Sequence, residues 1–341
     1  MRPNIKRKRD YFSKTILLSG VAGSGKTYAI RDIIKENKNS KKTYIIQHIN
    51  DFEALCQDNR GNLITLRNII EVNVFNFHPG KYSRGEYYSY LFKCHCMEVF
   101  TFIKILMNRE INKTENKLLL KGIYDMYEGL GITKEEYRPN YKNILNHLNF
   151  HLFVKLMKEV DPELSSELDG YSHLFAGDKN ISTYFENKNK DVSFNNKINV
   201  IDTSGLYSLK EPNSAVLYSY LIAIKRRIRL DVEPSLIIVD EGFLFFNDVN
   251  LIKTLLLNNG KAAKQAELLV SIQSLTDVAK NLRNVLKLAN RVILFRQSEK
   301  DASIIKKCFN LPNAIIKRIS ALSIGEAILI EDHKIRKVKY K

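Results

Sequence analysis

The chain has 341 residues, 44% of them hydrophobic, enough to bury the core of one large α/β domain or of a core domain with a sizeable insertion. Lysine and arginine outnumber aspartate and glutamate by 54 to 37, a formal charge of +17, which points to an anionic partner such as nucleic acid or an acidic membrane face, and equally suits a solvated lysine-rich surface. Cysteines at 56, 94, 96 and 308 lack the spacing of a disulfide framework, and the chain shows neither a signal peptide nor an unbroken apolar run of about 18 residues, so it reads as cytoplasmic rather than as a disulfide-stapled secreted domain or a helical membrane span.

The segment RPNIKRKRD (2–10) is a basic cluster within a tail spanning 1–14, suited to a phosphate backbone or an anionic headgroup and equally to solvent. TILLSG (15–20) then reads as a buried strand, KTYAIRDIIKE as a helix with apolar residues at helical spacing, and KTYIIQHI (42–49) as a second strand. That is the start of a βαβ unit. Further short strands are expected at NLITL (62–66) and VNVFNF (72–77), which complete the first part of a core over 15–82.

Across 83–195 long amphipathic patterns such as YYSYLFKCHCMEVFTFIKILM and NKLLLKGIYDMYEGL replace the short β-branched runs, which predicts a mostly helical insertion closing with HLFAGDKNIS. Cys94-His95-Cys96 has metal-ligand residue types, but neighbours one and two apart on a helix point to different faces, which sets the pattern against a metal site. Strand signals return over 196–341 at KINVID (197–202), SLIIVD (235–240), ELLVSI (267–272), RVILF (291–295) and EAILIE (326–331). Strands alternating with helices predict a mostly parallel sheet with helical crossovers.

Gly20-Val21-Ala22-Gly23-Ser24-Gly25-Lys26-Thr27 fits G-x-x-x-x-G-K-[ST], with a strand before it and a helix after it. In such a loop the glycines let backbone N–H groups converge on phosphate oxygens while the helix presents its positive end. Lys26 is expected on the terminal phosphates and the Thr27 hydroxyl on magnesium, with Tyr28 next in the nucleotide-contacting run. A second site is LIIVDE (236–241), where four apolar residues run into two carboxylates at a strand end, the place where open α/β sheets bind ligands. Asp240 is expected to hold magnesium, and Glu241 to orient and deprotonate the attacking water of an ATP hydrolase. The strand ELLVSI delivers Ser271, Ile272, Gln273 and Ser274 to the same edge, and Gln273 there can touch both the γ-phosphate and the water. The three sites in this order match a RecA-like, additional-strand P-loop NTPase with a helical insertion.

Several segments extend the match. GNLITL with VNVFNF, TENKLLLKGIYDMYEGLGIT, LDGYSHLFAGDKNIS, INVIDTSGL, IIVDEGFLFF and VSIQSLTDV follow one another in an order that resembles the ATPase domain of the conjugation and type IV secretion ATPases of the VirB/TraC/TraE type, within the HerA/FtsK superfamily of hexameric P-loop motors. The resemblance implies a homohexamer that hydrolyses ATP with Mg2+ to move DNA or protein. It also implies contact with secretion or conjugation components and peripheral attachment at the inner face of the cell membrane. Larger members carry a domain before the motor, whereas here the phosphate loop begins at residue 20, and the tryptophan that usually follows the acids is missing. The arginine-lysine pair usual before the glutamine strand reads Gly260-Lys261-Ala262-Ala263-Lys264, which leaves the charge-stabilising finger unassigned, with Arg291 and Arg296 as candidates and Lys261 and Lys264 as substitutes. A viral genome-packaging or HerA-like DNA translocase is the alternative within the same motor class, and a nucleotide-gated docking protein with little hydrolysis is the alternative outside it.

Overall fold

The computed structural model describes residues 14–65, 72–139, 148–176, 194–204, 213–231, 233–242, 266–276, 289–331 and 334–340. The basic cluster 2–10, the stretch 177–182 that closes the expected insertion, and Gly260–Lys264 lie outside them. The strands are β1 (Lys14–Ser19), β2 (Lys42–Gln47), β3 (Asn62–Thr65), β4 (Ile198–Asp202), β5 (Ser235–Val239), β6 (Ala266–Ile272), β7 (Arg291–Leu294), β8 (Glu326–Glu331) and β9 (Lys334–Lys339). The helices are α1 (Lys26–Asn37), α2 (Glu53–Asp58), α3 (Glu86–Met107), α4 (Lys113–Gly129), α5 (Phe150–Val160), α6 (Pro162–Ala176), α7 (Asn213–Asp231), α8 (Glu299–Phe309) and α9 (Asn313–Ser320).

These elements fall into two compact units, one of Met1–Leu66, Phe194–Tyr207 and Asp231–Lys341 and one of Arg67–Ser193 and Ser208–Leu230. In the first, the nine described strands form one sheet in the order β3-β4-β2-β5-β6-β1-β7-β8-β9. Pairing is parallel from β3 through β7 and antiparallel at β8 and β9. β2, β4 and β5 are buried at every position, as expected of parallel strands covered on both faces, and this is why they read as near-continuous apolar runs. Ala29, Ile30, Ile33 and Ile34 of α1 close over Ile16, Leu18, Ile45, Val200, Ile238, Leu269 and Ile293 to form the core. This is the expected mostly parallel, additional-strand P-loop architecture: β6 stands between the strand of the phosphate loop, β1, and the strand of the acids, β5.

The outer edge brings an unexpected strand. β9 reads KIRKVK and is exposed at all but one position, so no apolar alternation announces it. Lysine and arginine on an edge strand are the usual guard against sheet-to-sheet pairing.

The second unit holds α3 to α6 with most of α7, so α7 groups with helices that precede it by a strand. α4 starts on a capping box, in which the Asn112 side chain accepts from Thr114 and Glu115 while Glu115 returns a bond to the Asn112 N–H. The expected strand VNVFNF is instead an irregular segment. Val72, Val74, Phe75 and Phe77 are buried, but Asn73 Oδ1 accepts from Phe75 N at 3.0 Å and turns the backbone. The carbonyls that a neighbouring strand would use go to side chains: Arg226 donates to Val74 O at 2.8 Å, and Tyr127 donates to Phe75 O at 2.6 Å. His95 of the Cys-His-Cys run lies 2.6 Å from the same tyrosine hydroxyl.

Glu98 is buried between Arg226, at 2.9 Å, and Arg229. Burial alone would raise its pKa, but the two guanidiniums outweigh it and hold the carboxyl below the usual range. Beside it, burial and Arg229 push Lys225 down to about 7. Removing the one acid strands the buried Arg229 and the part-buried Arg226 beside it, so Glu98→Ala should destabilise this unit by about 3–5 kcal/mol, read from urea melts of the full chain. A loss under about 1 kcal/mol would mean that the charges are neutralised elsewhere. No helix among the described residues is long and apolar enough to cross a membrane.

Candidate nucleotide site

The glycine loop 20–27 leaves β1 at Ser19 and enters α1 at Lys26. Its start is fastened to β6 and to the segment just past β7: Gly20 N donates to Ile272 O at 3.3 Å, and Val21 N donates to Arg296 O at 2.9 Å. The buried Gln297 adds bonds from its amide to Ser19 O at 2.7 Å and to Phe295 O at 3.1 Å. Gly20 is required because a Cβ there would stand 2.6 Å from the Phe295 Cβ and 2.7 Å from Ser24 Oγ. Gly25, at φ 107°, is required twice over, since a Cβ would also come within 2.6 Å of Gly325 N. That distant glycine donates its N–H to Ser24 O at 3.0 Å and so backs the loop from the β8 side. Ala22 and Gly23, at the crest, are exposed.

Lys26 is buried, and its ammonium donates to the loop carbonyls of Gly20 at 2.7 Å and Val21 at 3.1 Å. Burial lowers its pKa, with Glu241 and then Asp240 pulling the other way, so the three charges share one neighbourhood. The Thr27 hydroxyl donates to Asp51 Oδ2 at 3.2 Å, and Arg31 holds the Asp51 carbonyl at 2.7 Å. Tyr28 is exposed at the rim.

Asp240 and Glu241 follow β5, at its carboxyl end, and both are buried. Asp240 N donates to Ile46 O at 2.9 Å, and Gly242 N donates to Ser271 O at 2.8 Å, so the turn is stitched to β2 on one side and β6 on the other. Glu241 sits in the left-handed region at φ 56°, a conformation that costs a non-glycine residue on the order of 1 kcal/mol and that collects at functional sites. Gln273, the first residue past β6, donates its side-chain amide to Glu241 Oε1. Asp240 is pushed up to about 6, chiefly by burial, with the Ser271 hydroxyl opposing and the Glu241 and Asp51 carboxylates adding to the rise.

The two expected finger arginines part company. Arg291 is level with Ile16, three residues before β1 ends, about 10 Å from the start of the loop, and it is bound to Glu331 at 2.7 Å. Arg296 stands beside the loop, exposed, with no ion pair among the described residues. Several residues at the site went unanticipated. Asp51 lies in the turn after β2, pinned by Phe52 N donating to Gln47 Oε1 at 3.0 Å, and the rule that parallel sheets bind ligands at strand carboxyl ends would have singled it out. Gly325 and Gln297 carried no local signal at all. Asp202, in the INVIDTSGL segment, accepts from the Ser204 N–H and hydroxyl, both at 2.9 Å, and shapes the turn after β4.

The residues present fit a phosphate chain with a divalent cation. Ser24 Oγ is buried with no hydrogen-bond partner among the described residues, and the space above Gly23 is open. The acids Asp51, Asp240 and Glu241 crowd negative charge that a cation would relieve, and Thr27 and Asp240 are the oxygen donors suited to it.

No protein-family model matches the chain, and no curated protein does. Solved structures do. VirB4 of Thermoanaerobacter pseudethanolicus superposes with a TM-score of 0.73 at 16% identity, over 96% of this chain and 89% of that one. The bacterial conjugative coupling protein TrwBdeltaN70, in its unbound form, gives 0.59 at 12% identity over 97% of this chain and 86% of its own. The plasmid coupling protein TrwB in complex with ADP and Mg2+ gives 0.59 at 12% identity over 96% and 86%. The likeness is one of fold: the chain has the α/β fold seen in VirB4 and TrwB.

Proposed function

We propose that the chain is a magnesium-dependent ATPase of the conjugation and secretion motor class, hydrolysing ATP to move DNA or protein. The observation that carries this reading is the placement of Lys26, the Asp240–Glu241 pair and Gln273 at the carboxyl ends of three adjacent strands, β1, β5 and β6. Lys26 has three ammonium donors, two of them now on loop carbonyls that phosphate oxygens would replace. Glu241 has one oxygen held by Gln273, leaving the other to accept a proton from the attacking water as the bond to the leaving oxygen of ADP breaks. Thr27 and Asp240 would hold magnesium, which would supply charge neutralisation to the bound phosphates.

Assembly into a homohexamer would let a neighbouring subunit complete the site, and Arg296, exposed at the loop, is better disposed for that contact than Arg291, which Glu331 occupies. DNA, secretion or conjugation components and an anionic membrane surface at the cytoplasmic face are the partners consistent with a charge of +17. Measuring ATP turnover with and without duplex DNA, together with oligomeric mass, tests the reading. Turnover stimulated by duplex DNA in a salt-sensitive way favours a DNA translocase of the packaging or HerA kind, and stimulation only by protein partners favours secretion. No turnover in any state would leave a nucleotide-gated docking protein.

The proton on Asp240 makes a separate prediction. Its folded pKa of about 6 lies above the ordinary 3.8, so the folded state holds the proton longer than the unfolded one. The stability this contributes is complete below about pH 4 and is lost as pH rises to about 6. Thermal melts of the nucleotide-free protein should therefore show wild type losing ground to Asp240→Asn across that window and running parallel to it above. Parallel curves throughout would mean an ordinary Asp240.

A further inference from the structure

The turn that follows Gln273 is held by a carboxylate from another element. Asp301, in the first turn of α8, is only 2% exposed. Its Oδ1 accepts from the backbone N–H of Leu275 at 2.9 Å, the N–H of Thr276 at 3.0 Å and the hydroxyl of Ser274 at 3.3 Å. Its Oδ2 accepts from the hydroxyl of Ser298, the N-cap of α8, at 2.8 Å, and its own N–H returns a bond to Ser298 Oγ at 3.2 Å. Capping explains the bonds to Ser298. It does not explain Oδ1, which is given entirely to a segment 25 to 27 residues earlier in the chain. Two consecutive N–H groups aimed at one carboxylate oxygen form an anion nest, and a nest filled by a fixed side chain is a rigid clamp.

That clamp sits where the sheet stops constraining the backbone. Ile272 is the last residue of β6 and is in register with Ser19 of β1, whereas Gln273 lies beyond the ladder and yet must hold its amide on Glu241. One side of Gln273 is anchored by the sheet, and the other side is anchored by Asp301.

We propose that Asp301 is a positioning residue for the hydrolytic step, fixing the 274–276 turn so that the Gln273 amide stays on the Glu241 carboxylate and the second carboxylate oxygen faces the water. The proposal rests on the reading of Glu241 as the proton acceptor. Because Asp301 makes no bond to the phosphate loop, its loss should slow chemistry and spare nucleotide affinity, a split that a merely structural residue would not produce.

The experiment compares wild type, Asp301→Ala, Asp301→Asn, Gln273→Ala and the Asp301→Ala/Gln273→Ala pair as full chains, by single-turnover hydrolysis of ATP and by equilibrium binding of a non-hydrolysable ATP analogue. Asp301→Ala should lower the single-turnover rate by about 10- to 100-fold with affinity within about threefold of wild type. Asp301→Asn keeps the oxygen that meets the turn and should stay within about threefold of the wild-type rate. Adding Gln273→Ala to Asp301→Ala should cost less than about threefold more, because both act through one contact. A wild-type rate in Asp301→Ala, or two reductions that multiply, overturns the proposal. If Asp301→Ala does not fold, the same comparisons pass to Asp301→Ser, which can still meet Ser298 but falls short of the turn. A wild-type chain that binds the analogue without hydrolysing ATP overturns the reading of Glu241 and the role of Asp301 together, whereas in a hydrolysing chain the variants judge Asp301 alone.

Discussion

Glu241→Gln should bind ATP as wild type does and hydrolyse it roughly 100- to 10,000-fold more slowly, the usual size of a positioned general base. The substitution is nearly isosteric, and the new side chain keeps the oxygen that accepts from Gln273, so the turn at φ 56° and its bonds to β2 and β6 have no reason to move. Only the proton-accepting capacity disappears. Single-turnover hydrolysis beside analogue binding separates the two quantities, and undiminished turnover would remove Glu241 as the base. Lost binding with lost turnover would instead assign this acid to holding the metal.

Lys26→Ala should remove the response to nucleotide altogether. In the nucleotide-free chain the ammonium is buried, burial lowers its pKa, and two loop carbonyls with two nearby acids only partly compensate. Taking it away therefore costs the unloaded protein little, and alanine suits the first turn of α1. With a triphosphate the same ammonium makes charge-assisted bonds, each contributing about 1.5–3 kcal/mol, so affinity should fall by 100-fold or more. In thermal melts the variant should match or exceed wild type without ATP and show none of the ATP-dependent rise. A rise equal to that of wild type would sink the assignment of residues 20–27 as the phosphate loop.

The segment 72–77 shows where local pattern and fold diverge. The β-branched and aromatic composition of VNVFNF predicts a strand, because such residues suit a pleated, half-buried backbone. It could not say that Arg226 and Tyr127, from 52 to 152 residues away, take the carbonyls a partner strand would use. β9 fails in the opposite sense: it is a strand by its pairing with β8, with no apolar side to betray it.

At the site, the amino-acid sequence alone singled out the glycine loop 20–27, the paired acids and the glutamine strand as candidates, since each is a contiguous run of residue types at fixed short spacing. Tertiary structure alone decided that Gly325 backs a loop 300 residues earlier, that Asp51 holds Thr27, that Asp301 clamps the turn after Gln273, and that Arg291 is taken by Glu331. Those are single hydrogen bonds, ion pairs and close approaches between remote segments. They leave no period in the chain, and only the folded sheet with its helices brings their partners within reach.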